Sequence, residues 1–147
     1  MNFTGYYGED LMTHSYDSQA MSDGNAKLIE ALFAIGPEVR YVALGRGQEI
    51  TMQLAQGVVS ETSYESDRFE ELLVNPTLLT LAGQRGRLDC GGLDFLVVGY
   101  GAFQQLVMPM QDGHVSIALV PDVPAKPFVE GVKTVLAKYH LEAQFPA

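Results

Sequence analysis

The sequence predicts an α+β fold: a five-stranded antiparallel sheet with helices on both faces, in the order α-β-β-α-β-β-β-α. Helical spacing of apolar residues occurs near both ends of the folded part and in the middle. Two strand patterns precede the middle helix and three follow it. Hairpin-length connections join the strands within each group, which indicates antiparallel pairing and disfavours a parallel doubly wound sheet.

Length and composition indicate one domain behind a polar extension. The chain has 147 residues, and residues 1–21 lack periodicity, so we assign the domain to residues 22–147. The formal net charge of −9 disfavours binding to nucleic acid or to anionic membranes. No signal peptide and no membrane-spanning run is apparent, so we expect a cytoplasmic protein.

The N-terminal half begins with a helix that Ser22, Asp23 or Asn25 can cap and that Gly36-Pro37 ends. Two strands follow at Val39–Leu44 and Ile50–Leu54, joined by a turn over residues 45–48. A loop is predicted over residues 57–66.

The middle helix is predicted over residues 67–85, and its form stays open. Asn75-Pro76 is typical of a helix start, because proline is favoured at the first helical position. The segment is therefore either two short helices or one helix bent at Pro76. Glu70 and Glu71 point about 100° apart on a helix, which excludes a catalytic dyad, and we expect both to be solvated.

The C-terminal half predicts three strands and a helix. The strands are Leu93–Tyr100, Phe103–Met108 closed by Pro109, and His114–Val120 after the Asp112-Gly113 hairpin signal. The last helix has one apolar face and a candidate cap at Asp122.

No catalytic, cofactor or metal site is predicted. The sequence contains no phosphate-binding loop, and its three histidines are not at metal-ligand spacing. The single Cys90 is interpreted as a small, partly buried thiol, since no histidine is placed to activate it. We therefore expect a protein that is not an enzyme and binds no cofactor.

Three stretches carry a resemblance to a known family: Asn75–Leu79, Arg85–Leu93, and the meander through Tyr100-Gly101, Leu106-Val107 and Asp112–Val115. Through these three stretches, the segment of about residues 24–140 resembles the roadblock family of dynein-light-chain-like proteins, and within it the bacterial GTPase-regulator type. Its fold is related in architecture to profilin.

The resemblance implies a homodimer, or a heterodimer with a paralogue, that binds a small Ras-like GTPase and biases its nucleotide state or location. In the family, the strand matching Leu93–Tyr100 pairs across a two-fold axis, and the central helices lie together on one face. The implied dimer interface comprises Leu93, Phe95, Val97, Leu72 and Leu79. The implied partner-binding residues are Arg68, Glu71, Gln84 and Arg85. The resemblance does not imply an arginine finger from Arg68, Arg85 or Arg87.

The strand Leu93–Tyr100 supports a dimer on physical grounds, since an unprotected apolar edge strand tends to pair with another chain. The alternative is that this strand is central or covered by its own chain. Two other functions also stay open: a small-molecule sensor, which needs an apolar pocket between sheet and helix, and an enzyme that uses Cys90.

Overall fold

A computed structural model describes Tyr16 and residues 21–144. The elements in chain order are α1 (Asp23–Phe33), β1 (Val39–Arg46), β2 (Glu49–Leu54), the central helix α2 (Tyr64–Phe69, Glu70–Val74 and Asn75–Asp89), β3 (Leu96–Gly99), β4 (Gln104–Met110), β5 (Gly113–Leu119) and α3 (Lys126–Lys138). The strands form one antiparallel sheet in the order β2-β1-β5-β4-β3. The predicted fold class and element order are confirmed. The predicted extension over residues 1–21 lies outside the described residues except for Tyr16 and Met21.

One face of the sheet carries the main apolar core. Helices α1 and α3 cover this face, and side chains from β1, β4 and β5 pack between them. Ser22 caps α1 as predicted, with its hydroxyl accepting from the amide of Asn25 at 3.2 Å. The predicted cap at Asp122 is wrong, because α3 begins after Ala125 without a side-chain cap.

The opposite face is covered by α2, which is one continuous helix from residue 64 to residue 89. Of the two forms left open for this segment, two short helices are therefore excluded and a single helix is observed. Residues Glu70–Val74 form a π-turn, in which the amide of Asn75 donates to the carbonyl of Glu70. A proline inside an α-helix clashes with the carbonyl four residues earlier. The extra residue of the π-turn changes that spacing just before Pro76, so the helix continues through the proline.

Both ends of α2 extend beyond the predicted limits. Ser63 accepts from the amide of Ser66 and caps a helix that begins within the predicted loop. At the other end the helix continues through Gly83 and Gly86 to Asp89. A Cβ on Gly86 would lie 2.8 Å from the carbonyl carbon of Gly92, so this glycine allows the chain after the helix to fold back closely.

The strands differ from their predicted limits in two places that matter for function. Gly45 and Arg46 belong to β1 rather than to the turn. Pro109 lies inside β4 rather than after it, opposite His114 of β5. It is tolerated there because β3 pairs with β4 only as far as Val107, which leaves Pro109 beside one strand of the sheet.

Candidate functional site

Strand β3 lies at an edge of the sheet, as the dimer prediction required. Among the described residues it pairs with β4 alone, so its other side has no strand partner. The strand is shorter than predicted, since Leu93 and Phe95 precede it. Phe95 packs against the main core, with the ammonium group of Lys126 5.5 Å from its ring centroid. Val97 is 38% exposed.

Helix α2 exposes most of its large apolar side chains. Large apolar side chains usually face the core in a helix that covers a sheet. Here the exposed ones are Phe69, Leu72, Leu73, Leu81 and Leu88. Where such side chains form a contiguous apolar surface, that surface marks an interaction site in many soluble proteins.

The predicted partner-binding residues fall into two groups. Arg68, Gln84 and Arg85 are exposed, and Arg85 is paired with Asp89 at 2.5 Å. Glu71 is fully buried, so its prediction as a solvated, partner-contacting residue is wrong. The reason is that the sheet beneath the helix supplies hydrogen-bond donors that stabilise a buried carboxylate. Of the predicted interface leucines, Leu72 is exposed and Leu79 is half-buried.

The Glu71 carboxylate is the centre of a buried polar cluster between α2 and the sheet. Its Oε2 accepts from the hydroxyls of Tyr41 and Ser116, each at 2.9 Å. Its Oε1 accepts from Nδ2 of Asn75 at 2.9 Å and lies 2.9 Å from Nε2 of His114. The cluster therefore ties the π-turn to β1 and β5. Burial, and then the charge of Glu71, raises the pKa of Tyr41 well above its usual value of 10.0.

A glycine makes room for the histidine of this cluster. Gly45 of β1 is the cross-strand partner of His114 of β5. A Cβ on Gly45 would lie 2.7 Å from Nδ1 of the imidazole and closer still to its Cε1. The ring therefore lies directly on the backbone of Gly45. In the sequence, the cluster was indicated only by Gly45, which lies opposite His114. That pairing can be recognised only when the register of β1 and β5 is known.

Tyr16 brings the N-terminal extension onto the same region. Its hydroxyl donates to Asp67 of α2, and its ring contacts Tyr41 and Tyr64 edge-on, with centroids 6.5 Å and 5.2 Å away. Burial and the bond to Asp67 raise the pKa of Tyr16 above its usual value. Tyr16, a described residue of the predicted extension, thus packs beside the polar cluster.

A cavity of about 360 Å³ lies between the sheet and the first half of α2. Its apolar wall comes from the sheet, from the loop before α2 and from the β3–β4 turn. The wall residues include Tyr41, Leu54, Val58, Phe103 and Ala118. Such a volume is within the range of about 300–1,000 Å³ that is typical of small-molecule sites.

The remaining predicted features concern metals, thiols and membranes. Within Tyr16 and residues 21–144, no group of three His, Cys, Asp or Glu side chains is arranged to hold a metal ion. Cys90 is exposed, so its prediction as a partly buried thiol is wrong; it is the residue that follows the last residue of α2. None of the described helices has the length and apolar character needed to cross a membrane.

The fold is similar to solved structures of MglB. Neither a family model nor a curated protein matches the sequence. A structure of MglB with a tetrameric arrangement is 12% identical, with a TM-score of 0.58 over 79% of this chain and 87% of that chain. The gliding protein MglB from Thermus thermophilus is also 12% identical, with a TM-score of 0.54 over 81% and 95% of the two chains. The chain therefore has the fold of MglB, in agreement with the roadblock-type resemblance of its sequence.

Proposed function

We propose that the protein is a non-catalytic dimeric scaffold of the cytoplasm that binds a small Ras-like GTPase and biases its nucleotide state or location. The observation that carries the proposal is the position of β3 at the edge of the sheet, without a strand on its outer side in the described chain. The likeness in fold to MglB and the family resemblance of the sequence add support.

The backbone of β3 is suited to pairing with a second copy. Tyr100 donates from its amide to the carbonyl of Phe103 at 2.9 Å, which closes the β3–β4 hairpin. Hydrogen-bonded and non-bonded pairs alternate in an antiparallel ladder. Leu96 and Val98 therefore bond to β4, whereas the amides of Val97 and Gly99 point outward. These outward groups are what a two-fold related β3 would pair with.

The dimer is tested by the mass of the particle in solution. We expect light scattering to give twice the 16.0-kDa chain mass. Val97→Pro removes one outward N–H and no bond to β4, so it should give single chains that remain folded. Val97→Ala keeps the N–H and should remain dimeric. A wild-type protein that is a single chain at working concentration would refute the dimer, and a dimer unaffected by Val97→Pro would refute pairing through β3.

The partner surface is proposed to be the exposed face of α2. Arg68, Gln84 and Arg85 supply polar groups there, beside exposed Leu81 and Leu88. An apolar patch with a polar rim is the usual composition of a protein interface. Glu71 acts on this surface indirectly, by holding α2 to the sheet.

GTPase binding is tested by capture of Ras-like GTPases encoded near this gene, each loaded with GDP or with a GTP analogue. We expect at least one to bind in a nucleotide-dependent way and to lose binding with Arg68→Ala plus Arg85→Ala. Lys138→Ala, an exposed cation on α3 at the other face of the sheet, is the control. Capture that does not depend on the nucleotide, or no capture, would contradict the proposal.

A further inference from the structure

The cavity between the sheet and α2 combines an apolar wall with an excess of negative charge. Among the described residues, its lining contains four carboxylates, Glu61, Asp67, Glu70 and Glu71, and one guanidinium, that of Arg40. Glu71 is saturated by its own partners, as described above. The charge that a ligand would meet therefore comes from the other three carboxylates, and mainly from the two on the helix.

Glu70 offers an acceptor that the described chain does not use. Its Oε2 accepts from the hydroxyl of Tyr100 at 3.1 Å. Its Oε1 is buried and has no hydrogen-bond partner among the described residues. Buried acceptors without a partner are costly, and a positive charge in the cavity beside this carboxylate would offset that cost.

Asp67 lies three residues before Glu70 on the same helix and lines the same cavity. Its carboxylate accepts from the hydroxyl of Thr62 at 2.9 Å and from that of Tyr16. Burial raises the pKa of both Asp67 and Glu70 above their ordinary values. A cation in the cavity would offset that cost of burying negative charge.

We infer that this cavity is a binding site for a small organic cation, with an amidinium or ammonium group on Glu70 and Asp67 and an apolar body against the sheet. An aromatic or branched body fits the wall formed by Leu54, Val58, Phe103 and Ala118. A metal ion fits less well, since the cavity is far larger than an ion and no metal-ligand group was found in the described chain. The inference does not depend on the scaffold function proposed above. It provides the pocket that the sensor interpretation of the sequence required.

The test uses the full-length protein at pH 8 and three flat probes of nearly equal size: benzamidine, benzamide and benzoate. Calorimetry should show saturable binding of benzamidine. The affinity for benzamidine should exceed that for the neutral or the anionic probe by about tenfold or more. Equal affinities for the three probes, or no saturable binding of benzamidine, would overturn the inference.

Two variants locate the site, and one serves as a matched control. Glu70→Gln keeps an acceptor for Tyr100 but removes the charge, and should weaken benzamidine about tenfold. Ala102→Trp places a large side chain at an exposed position of the lining and should abolish binding without disturbing the core. Glu49→Gln removes an exposed charge on β2, outside the lining, and should leave affinity unchanged. Thermal melting confirms that each variant is folded. Unchanged affinity in both Glu70→Gln and Ala102→Trp would place the binding elsewhere and refute the site.

Discussion

At the scale of single residues, the polar cluster beneath α2 depends on one missing Cβ. Gly45 lies under the imidazole of His114, and this approach aims Nε2 at the buried carboxylate of Glu71. Gly45 and His114 are paired on adjacent strands of the sheet. Any side chain at position 45 must therefore displace the imidazole ring.

Gly45→Ala should therefore destabilise the protein. Overpacking of a well-packed site costs about 1–3 kcal/mol, and here displacement of the ring also weakens its bond to Glu71. Chemical denaturation of the two proteins measures the difference in the free energy of unfolding. Gly24→Ala is the control, since its Cβ meets no atom within 4 Å in α1. Equal effects of the two substitutions would show that the ring does not need this space.

The carboxyl of Asp67 predicts a dependence of stability on pH. Burial raises its pKa in the folded protein above the ordinary value of 3.8. In the window between 3.8 and the raised value, the folded state binds more protons than the unfolded chain. Stability should therefore increase as the pH falls from neutral through this window, and Asp67→Asn should remove the part of that increase that Glu70, whose pKa is also raised by burial, does not supply.

Thermal melting of wild type and Asp67→Asn between pH 7 and pH 3 measures the effect. Asp89 provides a control of opposite sign, because its bond to Arg85 lowers the pKa of Asp89. The contribution of Asp89 to the stability of the fold should be present above pH 3.8 and be lost as the pH falls below that value. If wild type and Asp67→Asn respond to pH in parallel, Asp67 is not the group responsible.

At the scale of elements, α2 is held to the sheet by polar contacts more than by apolar ones. Its fully or nearly buried residues are Glu71, Asn75, Gly83 and Gly86, whereas most of its large apolar side chains are exposed. This inversion leaves an apolar surface free for partners. It also concentrates the attachment of the helix at the π-turn.

Glu71→Ala should accordingly loosen α2. It leaves the hydroxyls of Tyr41 and Ser116 and the amide of Asn75 without their acceptor, at a cost of about 3 kcal/mol or more. Hydrogen exchange should rise over residues 64–82 and much less in β1 and β5. Glu65→Ala, on the same helix outside the cluster, should change little. Uniform exchange changes across the whole domain would instead indicate a general loss of stability.

At the scale of the whole molecule, helices cover both faces of the sheet, and in the described part of the chain β2 and β3 form its two edges. The edge at β2 carries exposed Glu49 and Gln53, whose polar side chains disfavour pairing. The edge at β3, Leu96–Gly99, has no charged residue and no proline. This difference favours association through β3 over association through β2.

The sequence by itself determined the element order and the antiparallel sheet, because hydrophobic periodicity and turn residues act over a few neighbouring positions. It also led to the fold family and to the interpretation of Leu93–Tyr100 as an edge strand. Local signals left one position of the middle helix open. Asn75-Pro76 is typical of a helix start, yet the π-turn carries the helix through it.

Only the tertiary structure decided the environment of Glu71. A glutamate on an amphipathic helix is normally solvated, and nothing near it in the sequence indicates otherwise. Its donors come from Tyr41, 30 residues before it, and from His114 and Ser116, 43 and 45 residues after it. The cavity is decided in the same way, since its walls come from several strands, their connecting segments and a helix. Such sites depend on strand register and helix placement, which no local pattern encodes.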